Sequence, residues 1–252
     1  MTRDSMKPVL RYCVSIVLLL AVWSAFVALG RVPRYLLPSP VQVLNTLFVE
    51  RSYFMSSLAY TLRNCLAGAA AGIVCGILVG GVVAYSSFLR WLAEPYLIMF
   101  QSFPRESLFP LLIVWLGFGA ITKVVSAALL SFFPVAVITL NGLCDVRSDY
   151  LELINSWGAT RQQEFLHCRL PAIIPTLVSA VKVALPLSLI GAVLGEFMGG
   201  NTGLGYVIIS SGSAFRTDRI FGAILLLSAI GLAMLSVVQL FQRGILRNFY
   251  QE

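Results

Sequence analysis

Residues 64–89 read NCLAGAAAGIVCGILVGGVVAYSSFL, a run without a charged side chain between Arg63 and Arg90. About 20 apolar residues suffice to cross roughly 30 Å of hydrocarbon, so the run is long enough to span a membrane. Within it Gly68, Gly72, Gly76 and Gly80 recur every fourth residue, with Gly81 beside the last. Fourth-residue spacing puts those glycines on one face of a helix. Lipid gives helices no hydrophobic drive to meet, so a face of small residues marks close packing against neighbouring helices. A bundle of spanning helices is the expected architecture.

The rest of the chain is of the same kind. Of 252 residues, 58% are apolar and only 12% charged, and the mean hydropathy is +0.87. That balance excludes a soluble domain and makes lipid the solvent. Spans are expected over residues 11–30, 58–86, 92–118, 122–144, 170–196 and 219–243, six in all. The first follows a basic start but has no small-residue cleavage site before Arg31, Val32, Pro33 and Arg34, so it reads as a retained helix rather than a signal peptide. The third is interrupted by Pro104 and Pro110 and carries Arg105 and Glu106 between them. Irregular backbone and ionised groups at membrane depth persist only where they face protein or water. The uncharged stretch from Phe197 to Phe215 is rich in glycine and serine and reads as loops and re-entrant turns.

Polarity rises sharply over residues 145–169, which hold Asp145, Arg147, Asp149, Glu152, Arg161, Glu164, His167 and Arg169. With the N terminus inside, nine basic residues fall in cytoplasmic segments and six outside, Lys123 among the latter, with Arg63, Arg105 and Lys182 in or beside spans. The bias places both termini and the polar segment in the cytoplasm. A short helix there, closed by Gly158 and followed by a proline-started span, forms a rigid knob.

Within the segment, Glu152 precedes Gly158 by six positions, and nine residues then separate Gly158 from Cys168, Arg169, Leu170 and Pro171. The pattern resembles the coupling-loop motif of ABC importer permeases, Glu-Ala-Ala, three residues, Gly, nine residues, Ile-x-Leu-Pro. Leu153 and Ile154 stand in place of the alanines and Cys168 in place of the isoleucine, apolar for apolar. The resemblance implies that Glu152, Ser156, Gly158, Ala159, Leu170 and Pro171 couple the chain to an ATPase. Other stretches resemble the taurine, sulfonate and nitrate branch of these permeases. They are Leu37-Pro38-Ser39-Pro40 with Val43 and Leu44, Pro110 to Gly119 around Trp115, and Glu196 ahead of the outer loop Gly203-Leu204-Gly205-Tyr206. Asn64 and Gln101 stand where sulfonate-like members usually carry arginines, and the surrounding wording is similar to members assigned to pyrimidine precursors, flavins or aromatic acids.

A charge at the bilayer centre is disfavoured by at least about 2.5 to 3.5 kcal/mol. Arg105 and Glu106 must therefore face water, protein or each other, either lining a translocation path or pairing to pin the broken third span, and the resemblance puts Asn64 and Gln101 beside the same path as its further candidates. Other chemistries lack their residues. His167 has no nucleophile or metal-ligand spacing around it, and Cys13, Cys65, Cys75, Cys144 and Cys168 form no paired pattern. No Gly-x-x-x-x-Gly-Lys-Ser/Thr loop occurs, so ATP would be bound by a partner and the chain needs no cofactor or metal of its own. The net charge of +7 is spread among loops, as membrane topology demands and nucleic-acid binding does not.

The expected molecule is an all-α integral membrane protein with the type I ABC importer permease fold, a single domain over residues 1–252. The resemblance implies ATPase subunits at the cytoplasmic knob, an extracytoplasmic substrate-binding protein at the outer loops, a second permease copy as a homodimer, and a bacterial inner membrane. It implies no enzymatic activity. An ion-gradient-driven secondary transporter is the alternative, and it leaves the coupling-motif spacing without a purpose.

Overall fold

The computed structural model describes residues 3–30, 33 and 35–249, with the side chains of residues 3–13, 16, 101, 148, 155 and 243–249 excepted. The helices in chain order are α1 (Arg3–Leu29), α2 (Pro40–Val49), α3 (Arg51–Tyr85), α4 (Ser87–Ser102), α5 (Phe109–Leu116), α6 (Ala120–Cys144), α7 (Ser148–Ser156), α8 (Arg161–Glu164), α9 (Leu170–Ala172), α10 (Ile174–Gly199), α11 (Leu204–Ser213) and α12 (Thr217–Phe249). Among the described residues, four helices are long and apolar enough to cross a bilayer: α3, α6, α10 and the stretch Thr217–Gln242 of α12. A fifth crossing is open to the bent pair Ser87–Phe100 and Arg105–Leu116. The remaining expected span corresponds to α1, whose apolar described stretch is the shorter Val17–Leu29. Trp23 of α1 lies 5.4 Å, ring to ring, from Phe221 of α12.

The glycine face of α3 decides the packing. Side-chain atoms added at Gly68 and Gly72 would collide with Ala127 and Ser131 of α6, and a Cβ at Gly76 would lie 2.8 Å from that of Val135. These partners advance along both chains together, so α3 and α6 run parallel. Helix α10 closes on the same seam, where a Cβ at Gly191 would lie 2.6 Å from the Ser126 carbonyl oxygen. With no side chain on the glycine faces, the three helices approach within van der Waals contact, which supplies the dispersion that lipid cannot.

The bend between α4 and α5 measures 88°. Pro104 bars the residue before it from the helical region, and Phe103 accordingly sits at φ −75°, ψ 136°. The Leu37 to Pro40 stretch starts α2. Ser39 Oγ accepts the Gln42 N–H at 3.3 Å while Gln42 Oε1 accepts the Ser39 N–H at 3.0 Å, with Pro40 in the first turn. Polar ties then fasten α2 to α12: the Thr46 hydroxyl donates to Asp218 at 2.8 Å, and Arg216 and Arg219 donate to Glu50 at 3.2 and 2.8 Å. The hydrogen bond to Asp218, with Glu50 adding, raises the Arg216 guanidinium above its ordinary value.

Two expectations are corrected. Phe197 to Phe215 is not a run of loops and re-entrant turns: α10 continues to Gly199, and Leu204–Ser213 is a helix. Two of its serines are absorbed by the helix itself, since Ser210 donates to the Tyr206 carbonyl at 2.8 Å and Ser213 to that of Ile209 at 3.3 Å. Lys123, counted as an outer-loop cation, is 3% exposed inside the first turn of α6.

Candidate functional site

The polar segment is built as a knob with fastenings. Helix α7 ends ahead of Gly158, which adopts φ +77°, and the Ala159 N–H closes the turn on the Ile154 carbonyl at 3.4 Å. Among the described residues nothing lies within 4 Å of the place a Cβ would take on Gly158, so the glycine serves a left-handed backbone and not a close contact. Thr160 then caps α8 reciprocally with Gln163, at 3.3 and 2.8 Å. Arg169 donates to Glu164 at 2.7 Å and to the Leu143 carbonyl at 2.7 Å, which ties the returning chain to the end of α6. Phe165 packs edge-on against Tyr85 at 5.5 Å, which ties it to the end of α3.

On the free side of the knob, Glu152 and Ser156 are exposed, with the Ser156 hydroxyl spent on the Leu153 carbonyl at 2.7 Å. Tyr150, Leu153 and Trp157 are exposed too, Trp157 at 79%. Ala159 and Leu170 are half-buried beneath, and Pro171 is exposed in the first turn of α9. An apolar, acid-edged surface on a body bolted to α3, α6 and α10 is able to pass a displacement to those helices.

The four candidates for the path are not gathered at one place. Asn64 is 1% exposed, and among the described residues neither polar atom of its amide has a partner at hydrogen-bond geometry. Arg105 lies in a 3₁₀ turn and donates to the Leu130 carbonyl of α6 at 3.3 Å. Glu106 is exposed, and no ion pair joins it to Arg105 among the described residues. The Gln101 side chain lies outside the described residues. The Tyr60 hydroxyl, one turn before Asn64, receives the Lys123 ammonium at 3.2 Å. Leu130 is seven residues along α6 from Lys123, so Arg105 docks about two turns away from the Asn64 level.

The outer-loop residues Glu196, Gly203 and Gly205 do come together. Glu196 is 1% exposed and accepts the Gly205 N–H at 2.9 Å. Thr61 on α3 donates to the same carboxylate at 2.9 Å, and its oxygen accepts the Leu204 N–H at 2.8 Å. Gly203, at φ +107°, is required twice over, because a Cβ there would also strike the Glu196 carboxylate. A buried carboxylate with these donors is held in place, as burial without partners would be costly. Lys182 is likewise structural in its contact: its ammonium meets the Gln242 side-chain oxygen and links α10 to α12.

Sequence reasoning missed Thr61, Tyr60 and Lys123. Thr61 carried a usable signal: it lies seven residues before Gly68, on the packed glycine face of α3.

Comparison with known proteins places these features. The model of the family described as binding-protein-dependent transport system inner membrane component matches residues 72–248. The formylaminopyrimidine transport permease protein ThiX of Halalkalibacterium halodurans is 34% identical over 216 residues, 85% of this chain and 86% of that one. The riboflavin transport system permease protein RibX of Chloroflexus aurantiacus is 32% identical over 243 residues, 95% of this chain and 90% of that one. Among solved structures, an inward-facing conformation of the MetNI methionine ABC transporter superposes with a TM-score of 0.69 at 20% identity, over 78% of this chain and 97% of that one, which shows the fold.

Proposed function

Because this chain belongs to the family of binding-protein-dependent transport system inner membrane components, and is thus a membrane-embedded permease subunit of an ABC importer and not an enzyme, we propose that its knob from Asp149 to Arg169 is the surface on which an ATPase subunit acts. The transported solute is a small organic molecule delivered by an extracytoplasmic binding protein to the outer loops around Asn201 to Tyr206. Two copies enclose one central path as a homodimer. The N and C termini and the knob face the cytoplasm, in a bacterial inner membrane, and ATP is bound by the partner subunit alone. Closure of the ATPases would move both knobs, turn the helices bolted to them and open the path outward.

The observation that carries the reading is the exposed surface of Tyr150, Glu152, Leu153 and Trp157 on a body fastened to the ends of α3 and α6. An exposed apolar patch rimmed by charge is the ordinary mark of a protein interface. An ion-gradient carrier has no use for it. The test is a pair of variants, Glu152→Lys, which reverses the charge on the knob, and Gly158→Val, which the left-handed backbone disfavours. Both should insert normally and lose solute-stimulated ATP hydrolysis together with uptake. Wild-type uptake and ATPase stimulation in either would refute the assignment.

A further inference from the structure

At the end of the bundle that carries the knob, two cavities adjoin. One, of about 220 Å³, is lined by Ser87, Arg90, Arg161, Glu164 and Arg169. Arg169 and Glu164 are paired at 2.7 Å and offset each other. Arg90 and Arg161 are exposed and have no partner among the described residues, so the cavity presents two uncompensated positive charges. The second cavity, of about 350 Å³, is walled by apolar groups including Ile77, Leu78, Val82, Leu143 and Ile173. Tyr85 and Phe165 line both, so the two form one cleft with a charged head and an apolar tail.

Its depth matches that division. Tyr85 and Cys144 end α3 and α6, so the charged part lies where the spans stop. The apolar part reaches in to Ile77, eight residues or about 12 Å along α3. We propose that this cleft binds an anionic phospholipid, its phosphate between Arg90 and Arg161 and an acyl chain along the α3–α6 groove. A soluble anion would satisfy only the charged part and leave the apolar walls empty. A zwitterionic lipid offers the same phosphate but brings a headgroup cation that repels Arg90 and Arg161, so the two positive charges favour a lipid of net negative charge. Basic side chains at the interface and apolar burial beneath it act additively on an anionic lipid. The lipid would bridge α4, through Arg90, to the knob, through Arg161. That effect on coupling rests on the proposed function, whereas the binding does not.

The test is native mass spectrometry of the full chain with its ATPase subunits, loaded with dioleoyl phosphatidylglycerol or dioleoyl phosphatidylcholine. Two variants separate the halves of the cleft: Arg90→Gln with Arg161→Gln, and Gly81→Leu. Gly81 lines the apolar cavity and a Cβ there meets nothing within 4 Å among the described residues, so leucine fills the groove without disturbing a helix contact. Phosphatidylglycerol should be retained in preference to phosphatidylcholine. Retention should fall about five-fold for each charge removed, and should be lost in Gly81→Leu with the thermal midpoint unchanged. Inorganic phosphate in large excess should not displace the lipid. Equal retention of the two lipids, or retention unaffected by both variants, would overturn the proposal. Displacement by phosphate alone would make the cleft a soluble-anion site, and loss of lipid when ATPase subunits bind would make it part of their interface.

Discussion

The Thr61 hydroxyl lies 2.9 and 3.0 Å from the two carboxylate oxygens of Glu196 and accepts the Leu204 N–H at 2.8 Å, so one side chain of α3 holds the end of α10 and the start of α11 together. Thr61→Val removes that oxygen at nearly constant volume and leaves a buried carboxylate and a buried N–H short of a partner. The expected loss is about 1–3 kcal/mol of stability, read as a lowered thermal midpoint in detergent. Thr61→Ser keeps the hydroxyl and should stay near wild type. A valine variant as stable as wild type would mean that Gly205 alone suffices to hold Glu196.

The glycine seam separates two substitutions five residues apart, at Gly76 and Gly81. Gly76→Leu drives a side chain into Val135, where overpacking costs about 1–3 kcal/mol or more, and should reduce the folded, monodisperse fraction on size exclusion. Gly81→Leu points into open space and should leave that fraction unchanged. Equal behaviour of the two would show that α3 and α6 are not packed along this face.

Arg105 and Glu106 are expected to act independently, because Arg105 donates to Leu130 and Glu106 stands exposed. Arg105→Ala loses a hydrogen bond made by a charged donor, about 1.5–3 kcal/mol, whereas Glu106→Ala should assemble as wild type. The double variant should match Arg105→Ala alone. Recovery of assembly in the double variant would instead reveal an ion pair between them. A changed solute affinity in Glu106→Ala with normal assembly would place that carboxylate on the path.

Much of this was legible in the sequence because it follows from local rules. Fourth-residue glycines required a close helix contact, and Pro104 required a break. The spacing from Glu152 to Gly158 required a helix that ends in a left-handed turn. What escaped was set by tertiary partners. Lys123 reads as a loop cation until Tyr60 and the Phe118 carbonyl are seen to receive it at 3.2 and 3.5 Å. The segment after Gly203 reads as a loop because glycine and serine disfavour helix in water, yet Glu196 caps it and Ser210 and Ser213 bond back to their own helix. A pairing of Arg105 with Glu106 assumes that sequence neighbours meet. Adjacent residues of a tight helical turn point apart.

Orientation can be read without disturbing the fold. A single cysteine at the exposed Gln162 of an otherwise cysteine-free chain should resist a membrane-impermeant maleimide in intact cells and react once the cells are opened. Labelling in intact cells would put the knob outside and reverse the assigned topology.

The central claim is that the knob is the ATPase contact, and the most direct measurement is site-specific cross-linking at Trp157, which is 79% exposed beside Gly158. A Trp157→Cys variant carrying a short thiol-reactive photo-crosslinker, assembled with its ATPase subunits in nanodiscs, should give a permease–ATPase adduct whose yield changes when ATP is bound. No permease–ATPase adduct in an assembly that still hydrolyses ATP on addition of solute and binding protein would contradict it.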